Sequence, residues 1–202
     1  MARPSQADAR RSGDDLRATR ALAARGFERL RLADVASEAG VSVGTVQHYF
    51  RSREALVAAT FRHFNDDAVA RWTAVADTAI DPWGRLEALT GYVATRLLRW
   101  DVWTEVAAAA MRDDVLRASY EEAYRLWRAP IATAVAEGVE RGAFTPVRPV
   151  ADVVDGFLAL VDGLGLQAQL GLVSRERLHE LLLSRLADDL GVPGRAALRS
   201  VG

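Results

Sequence analysis

Apolar residues recur at intervals of three and four along almost the whole 202-residue chain, and no stretch shows the clean alternation of a half-buried strand. This periodicity favours helices throughout. Glycine and proline divide the pattern: Gly26 and Gly40 stand where helices would end, and Pro82 stands where one would begin. The sequence therefore predicts an all-α protein with about nine helices.

The same signals give approximate bounds for each element. The predicted helices cover residues 14–25, 32–39, 45–50, 53–79, 82–100, 104–111, 113–141, 150–172 and 175–190, and Pro130 should kink or interrupt the seventh. We expect a flexible arm over residues 1–13, a three-helix domain over 14–52, a larger helical domain over 53–191 and a flexible tail over 192–202.

The composition, half apolar and about a quarter charged, is typical of a soluble protein. The chain contains no cysteine, which excludes disulfides, thiolate metal sites and cysteine nucleophiles. The first residues carry arginine without an apolar run behind it, so they do not form a secretory signal. No segment approaches the roughly 20 apolar residues of a membrane span. We expect a cytoplasmic protein without a membrane partner.

Charge is distributed unevenly, although the net charge is only −1. Residues 1–65 carry 11 arginines against seven acidic residues, whereas residues 66–202 carry 15 arginines against 20 acidic residues. A basic head on an acidic body is the asymmetry expected when only the head meets phosphate groups.

The segment GVSVGTVQHYF, Gly40 to Phe50, has two unrelated interpretations. Its first five residues fit the G-x-S-x-G pattern of a hydrolase nucleophile elbow, which requires a strand before the serine and a helix after it. The residues upstream, LRLADVASEAG, are helical in pattern, and His63 and His179 lie on polar helix surfaces. The alternative is the turn of a helix-turn-helix, which the helical surroundings favour.

A helix-turn-helix over Leu32–Arg51 accounts for most residues of this segment. Ala36 occupies the close crossing of two helices, Gly40 the left-handed turn, and Ser42 the N-cap of the next helix. The expected apolar contacts are Val35, Ala39, Val41, Val46 and Tyr49. Small or hydrogen-bonding groups face outward, as in a helix that reads the major groove, namely Val43, Gly44, Thr45, Gln47 and His48. The alternative is an ordinary surface helix of a bundle.

The resemblance extends beyond a general helix-turn-helix. From Leu22 to Leu56 the chain reads LAARGFERLRLADVASEAGVSVGTVQHYFRSREAL, which closely resembles the N-terminal domain of TetR-family transcriptional regulators. The shared pattern comprises Gly26-Phe27, Val35-Ala36, A-G-V-S-x-G-x-x-x-x-Y-F over residues 39–50, and Glu54-Ala55-Leu56. A shorter stretch, TPVRPVADVVDGFLALVDGLGLQ, resembles the C-terminal domain of the BetI-like branch.

Two departures from the family pattern bear on DNA contacts. Arg31 stands where threonine is common, and Gln47 stands where an aromatic residue is common. A glutamine amide is suited to the edge of an adenine base. We expect Arg31, Thr45, Tyr49 and Arg53 to contact phosphates and Gln47 and His48 to contact base edges. The predicted DNA-binding residues are Arg31, Ser42, Val43, Gly44, Thr45, Gln47, His48, Tyr49 and Arg53.

Residues 150–172 are apolar around nearly the whole helix, which indicates burial on two sides. One side would face the chain's own core and the other a second copy, and residues 175–190 would complete a four-helix bundle across the dimer. The resemblance also assigns dimerisation to the last two helices. The predicted interface residues are Val154, Leu158, Val161, Leu178 and Leu182. The alternative is a central helix buried within a monomer.

The middle of the chain is rich in large aromatic residues separated by alanine. They either pack a core or line a cavity, and the resemblance implies a small-molecule effector site in this region. Asp162 and Gln167 are either satisfied structural residues or ligand contacts. The predicted ligand-binding residues are Trp100, Trp103, Met111, Tyr120, Tyr124, Trp127, Phe157, Asp162 and Gln167.

These features together predict a transcriptional regulator that binds a near-palindromic DNA operator as a homodimer. Repression relieved by a small molecule in the C-terminal domain is what the resemblance implies. We expect no cofactor, no metal and no catalytic residue. The alternatives are an architectural DNA-binding protein without an effector and a helical-bundle enzyme, although the chain has neither H-E-x-x-H nor paired Glu-x-x-His motifs.

Overall fold

A computed structural model of the chain describes residues 30–95 and 100–192. Within these ranges there are eight α-helices and no strand. The helices are α1 (Leu32–Ala39), α2 (Val43–Tyr49), α3 (Arg53–Ala76), α4 (Pro82–Thr95), α5 (Trp100–Ala110), α6 (Asp114–Glu140), α7 (Val150–Gln169) and α8 (Arg175–Leu190).

The all-α prediction is confirmed. Every helix predicted inside the described ranges is present, and the helix predicted at 14–25 lies outside them. Helix α5 begins at Trp100, four residues earlier than predicted. Helix α6 continues through Pro130, so the predicted interruption does not occur. Ile131, Ala134 and Val135 after the proline are fully buried, and their packing offsets the roughly 3 kcal/mol that a proline costs inside a helix.

The structure divides into two compact units that differ from the predicted domains. One comprises residues 30–68 together with Asp101–Tyr124, and the other comprises residues 69–95, Trp100 and residues 125–192. The predicted boundary at residue 53 remains a prediction. None of the helices within residues 30–95 and 100–192 is long and apolar enough to cross a membrane.

An aromatic cluster forms part of the core of the first unit. The ring of Phe61 on α3 lies 5.2 Å from that of Trp103 on α5 and 6.2 Å from that of Tyr120 on α6, measured between centroids. Phe61 is fully buried. Arg62 also connects α3 to α6, since its Nη1 donates a hydrogen bond to Ser119 Oγ at 2.9 Å.

Three helices, α4, α7 and α8, pack against one another in the second unit. Their apolar stripes supply the buried residues Leu86, Leu89, Val93, Val153, Val154, Phe157, Leu178, Leu182 and Leu186. The rings of Trp72 of α3 and Trp127 of α6 lie 4.6 Å apart between centroids at an interplanar angle of 42°, and the Trp72 indole N–H donates to the carbonyl oxygen of Leu89. A satisfied indole and buried aliphatic side chains are typical of a permanent core.

The segment between α6 and α7 is fastened to the end of α8. The backbone N–H groups of Thr145 and Val147 donate to the carbonyl oxygens of Leu190 and Asp189 at 2.8 and 2.9 Å. The buried carboxylate of Asp189 accepts from Arg148 at 2.7 Å and from Arg185 at 2.8 Å. Two charge-assisted hydrogen bonds satisfy this carboxylate and hold the last turn of α8 in place.

Candidate nucleic-acid interface

The turn between α1 and α2 is built around Gly40, whose φ of 65° and ψ of 32° lie in the left-handed region. Its N–H donates to Ser37 O at 3.2 Å, and the N–H of Val41 donates to Ala36 O at 3.0 Å. These two bonds form a Schellman motif, which satisfies carbonyl groups at the end of α1. A side chain at residue 40 would strain this conformation, so glycine is the residue that permits the turn.

Ser42 begins α2 as its N-cap. The serine hydroxyl accepts a hydrogen bond from the N–H of Thr45 at 3.1 Å and lies 2.9 Å from the Thr45 hydroxyl. The predicted cap is therefore present. Because the cap precedes the first helical residue, α2 begins at Val43, two residues before the predicted start.

The interface between α1 and α2 uses fewer side chains than predicted. Val35, Ala36 and Val46 are buried. Val41 and Tyr49, which were predicted to join them, are both 37% exposed. Ala39 lies outside the residues whose side chains the structure describes. The turn bonds and three small buried residues therefore hold the two helices together, and Tyr49 remains on the surface.

The outward side of α2 carries the residues predicted there. Val43, Gly44, Gln47 and His48 are exposed, and Thr45 is partly exposed. The rings of His48 and Tyr49 meet edge to face at 5.7 Å between centroids. This surface presents an amide, an imidazole and hydroxyl groups around a position that has no side chain, which is the chemistry required to reach base edges and phosphates.

The two predicted phosphate-binding arginines are both exposed, but they make different hydrogen bonds. Arg31 is exposed at the N-cap of α1, and its backbone N–H donates to Asp34 Oδ2 at 3.2 Å. Arg53, the first residue of α3, donates from Nε to the carbonyl oxygen of the buried Leu30 at 3.1 Å. Arg53 therefore joins the residue before α1 to the start of α3, which its predicted role at phosphate does not include.

The predicted ligand-binding residues are divided between the two units. In the first unit Tyr120 lies 5.4 Å from Trp103 and 6.1 Å from Tyr124 between ring centroids, whereas Met111 is 72% exposed. In the second unit Trp127 packs against Trp72, Phe157 is fully buried, Asp162 is partly exposed and Gln167 is exposed.

Trp100 lies against Gly165 of α7 so closely that a Cβ at residue 165 would be 2.0 Å from the indole ring. The structure therefore gives Trp100, Trp127 and Phe157 packing roles. It brings together Trp103, Tyr120 and Tyr124.

All five predicted dimer residues, Val154, Leu158, Val161, Leu178 and Leu182, are buried within a single chain. In this unit α8 packs against both α4 and α7. Their assignment to a dimer interface stays a prediction. A groove on the outward side of α8 is lined by Leu160 of α7 and by α8 residues that the apolar pattern did not single out: Arg177, Glu180, Leu181, Ser184, Arg185 and Asp188. These residues could have been found from the sequence, because the charged ones recur at the spacing of one helix face.

The arrangement of a capped, outward-facing second helix after a Schellman turn defines a helix-turn-helix DNA-binding protein with a larger helical body. Comparison with known families agrees. Residues 16–60 match the family described as bacterial regulatory proteins of the TetR family, and residues 86–191 match the BetI-type transcriptional repressor C-terminal family. The chain belongs to the TetR family of DNA-binding transcriptional regulators, with a C-terminal region of the BetI type, and it is not an enzyme.

Individual relatives support the same assignment. The transcriptional repressor KstR2 of Mycolicibacterium smegmatis is 36% identical over 88 residues, which cover 44% of this chain and 42% of the relative. The regulator BetI of Burkholderia cenocepacia is 27% identical over 149 residues, covering 69% and 71%. A transcriptional regulator from Saccharomonospora viridis, solved in complex with choline, has a TM-score of 0.73 and 30% identity, covering 88% and 94%.

The Leu30 bond predicts a difference between two neighbouring arginines. Arg53→Ala removes a part-buried, charge-assisted bond to the carbonyl oxygen of Leu30, so we expect a loss of roughly 1–2 kcal/mol in the free energy of unfolding. Arg51→Ala, the matched control, removes an exposed arginine and should change it by less than about 0.5 kcal/mol. Urea denaturation followed by circular dichroism measures both. Equal stability of the two variants would show that the Leu30 bond contributes nothing.

Proposed function

We propose that this chain is a homodimeric repressor that binds a near-palindromic operator and releases it when a small organic molecule binds the helical body. The observation that carries the proposal is the outward surface of α2, which is exposed, capped at Ser42 and held at a fixed turn from α1. A repressor acts where the operator DNA lies, and we expect this one in the cytoplasm.

Within this proposal the contacts divide into two groups. Arg31, Thr45, Tyr49 and Arg53 bind phosphates and set the position of the protein on the duplex. Gln47 and His48 are exposed near the middle of α2 and bind base edges in the major groove. One chain carries one such helix among its described residues, so a two-fold dimer is needed to read a near-palindrome.

The glycine at residue 44 favours a close approach of the DNA backbone to α2. A Cβ built at this position meets only the Ser42 hydroxyl, at 3.7 Å, which is an ordinary contact. The fold therefore does not require glycine here, and glycine costs a helix up to about 1 kcal/mol relative to alanine. A requirement from outside the chain accounts for the missing side chain, and a phosphate or sugar lying directly against the helix would impose it.

The function is tested by selecting bound sequences from a random DNA library with the purified protein. The wild type should enrich a near-palindrome. Gln47→Ala should relax the preference at one base pair of each half-site by about 1–3 kcal/mol, because it removes one hydrogen-bonded base contact. Gln167→Ala, an exposed glutamine on α7, is the control and should leave the preference unchanged. An unchanged preference in Gln47→Ala would remove that residue from base recognition.

Gly44→Ala should separate folding from DNA binding. We expect the variant to be at least as stable as the wild type, by up to about 1 kcal/mol, and to bind the selected operator more weakly because its methyl group holds the backbone away. Gly44→Val should bind more weakly still. Thermal unfolding and fluorescence anisotropy measure the two quantities. Wild-type affinity in both variants would contradict a close approach at residue 44.

The effector site that we propose is the aromatic cluster of the first unit. The ring of Tyr120 lies 5.4 Å from that of Trp103 and 6.1 Å from that of Tyr124, measured between centroids. The two tyrosines are only partly buried. Aromatic faces attract organic cations through their quadrupoles. The related regulator from Saccharomonospora viridis was solved with choline, a quaternary ammonium compound. We therefore propose a small organic cation as the effector class.

Choline is the probe for this site. Titration should change the intrinsic tryptophan fluorescence of the wild type and weaken operator binding. Tyr124→Ala should abolish both responses, whereas Tyr124→Phe, which keeps the ring, should retain most of them. If choline neither binds nor weakens operator binding, the organic-cation proposal fails. If no ligand from a wider set of organic cations does so, an architectural DNA-binding protein without an effector becomes the better description.

Release follows from a difference in affinity between two states. Helix α3 runs without interruption from Arg53, which bonds to the residue before α1, to Ala76. We propose that this helix carries movement of the body to the DNA-binding head. The effector shifts the protein toward a state that cannot place both heads in successive grooves, and it does so only by as much as it prefers that state.

A further inference from the structure

The outward side of α8 borders a groove of about 280 Å³ in the second unit. Leu160 of α7 lines part of it, and six residues of α8 line the rest: Arg177, Glu180, Leu181, Ser184, Arg185 and Asp188. The spacing of three and four places the α8 residues on one face of that helix. The face thus carries two apolar or small residues at its centre and one basic and one acidic residue toward each end.

The order of these charges is complementary to itself. In an antiparallel two-fold pair, residues equally distant from the axis lie opposite each other. An axis between Leu182 and Leu183 places Arg177 opposite Asp188, each about 8 Å from the axis at 1.5 Å per residue. It also brings Leu181 to the level of Ser184. In this register, opposite charges therefore face each other at the ends of the contact, and Leu181 faces Ser184 at its centre.

Neighbouring registers place like charges together. An axis at Leu181 would oppose Arg177 to Arg185, and an axis at Ser184 would oppose Glu180 to Asp188. Like charges held opposite each other at an interface disfavour that pairing. The charge pattern of α8 thus selects one register out of three that the central small residues would otherwise permit.

We propose that a second copy of this chain occupies the α8 groove, with the two-fold axis between Leu182 and Leu183 and with Arg177 paired to Asp188 of the second copy. The inference rests on the homodimer of the proposed function and specifies its register. It uses none of the five leucine and valine residues that are buried in the chain's own core.

Contacts within the chain hold this surface in position. Arg177 Nη1 lies 3.2 Å from Glu180 Oε2 on the same helix. The backbone N–H of Arg177 donates a hydrogen bond to the hydroxyl of Ser174, the N-cap of α8, at 3.1 Å. Arg185 is bonded to the buried Asp189 at 2.8 Å. Reversing the charge of Arg185 would disturb that bond, so the test uses Arg177 and Asp188.

Charge reversal tests the pairing. Arg177→Glu alone and Asp188→Arg alone each place two pairs of like charges in the dimer, and we expect each to raise its dissociation constant about tenfold. The double variant R177E/D188R should recover the wild-type value. The control R177E/E180R keeps an opposite pair within the helix but leaves like charges across the axis, so it should stay weak. Sedimentation equilibrium measures dissociation, and circular dichroism verifies folding.

Cysteine cross-linking tests the register independently, because the natural chain contains no cysteine. We expect Leu181→Cys and Ser184→Cys chains that are unfolded and refolded together, so that mixed dimers form, to give disulfides faster than either variant alone. Fastest cross-linking within Leu181→Cys alone would place the axis at residue 181, and within Ser184→Cys alone at residue 184. Either result would overturn the proposal, even if the dimer is too tight for the charge variants to dissociate.

The outcomes separate two failures. A dimeric wild type in which R177E/D188R is weaker than both single variants contradicts the register and leaves the homodimer intact. A wild type that is monomeric at all concentrations contradicts this register and the dimeric part of the proposed function together.

Discussion

The DNA-binding head depends on the left-handed backbone at Gly40. Two hydrogen bonds close the turn around it, and the next residue but one caps α2. The buried contacts between α1 and α2 are few and small, namely Val35, Ala36 and Val46. Because so little side-chain area joins the helices, the backbone geometry of the turn decides where α2 points. The exposed amide and imidazole of Gln47 and His48 acquire their direction from it.

A second constraint joins the head to the rest of the chain. Arg53 begins α3 and bonds to the carbonyl oxygen of Leu30, which directly precedes the N-cap of α1. This bond joins the two ends of the segment from Leu30 to Arg53, which contains α1 and α2. In the proposed function Arg53 combines this structural bond with a phosphate contact, since a guanidinium carries five N–H donors. Within that proposal DNA binding and stability are coupled at Arg53 and separate at Gly44.

Local signals in the sequence predicted the helices well because their causes are local. Gly40 and Ser42 marked the end of α1 and the cap of α2 through backbone chemistry that involves only neighbouring residues. Where prediction failed, the cause was distant in sequence. Helix α7 is apolar on almost every side, so its pattern did not show which residues face the core, and tertiary packing buries Val154 and Leu158. Exposure of Val41 and Tyr49 likewise depends on tertiary packing.

The same distinction applies to the aromatic residues. Their abundance was visible in the sequence, but only the structure separates Trp100, which packs on Gly165, from the partly exposed Tyr120 and Tyr124. On α8 the charged residues were visible as well, yet their meaning depends on knowing that Leu178 and Leu182 point inward. Burial of the apolar side leaves the charged side as the surface on which a second copy can be recognised.

The central claim is that two α2 helices read successive major grooves from one side of the DNA. Hydroxyl-radical footprinting on a fragment that carries the selected operator tests it most directly. The account predicts two protected segments on one face of the duplex, with centres about 10–10.5 base pairs apart or a multiple of that distance. A single protected segment, or uniform protection without helical phase, would contradict it.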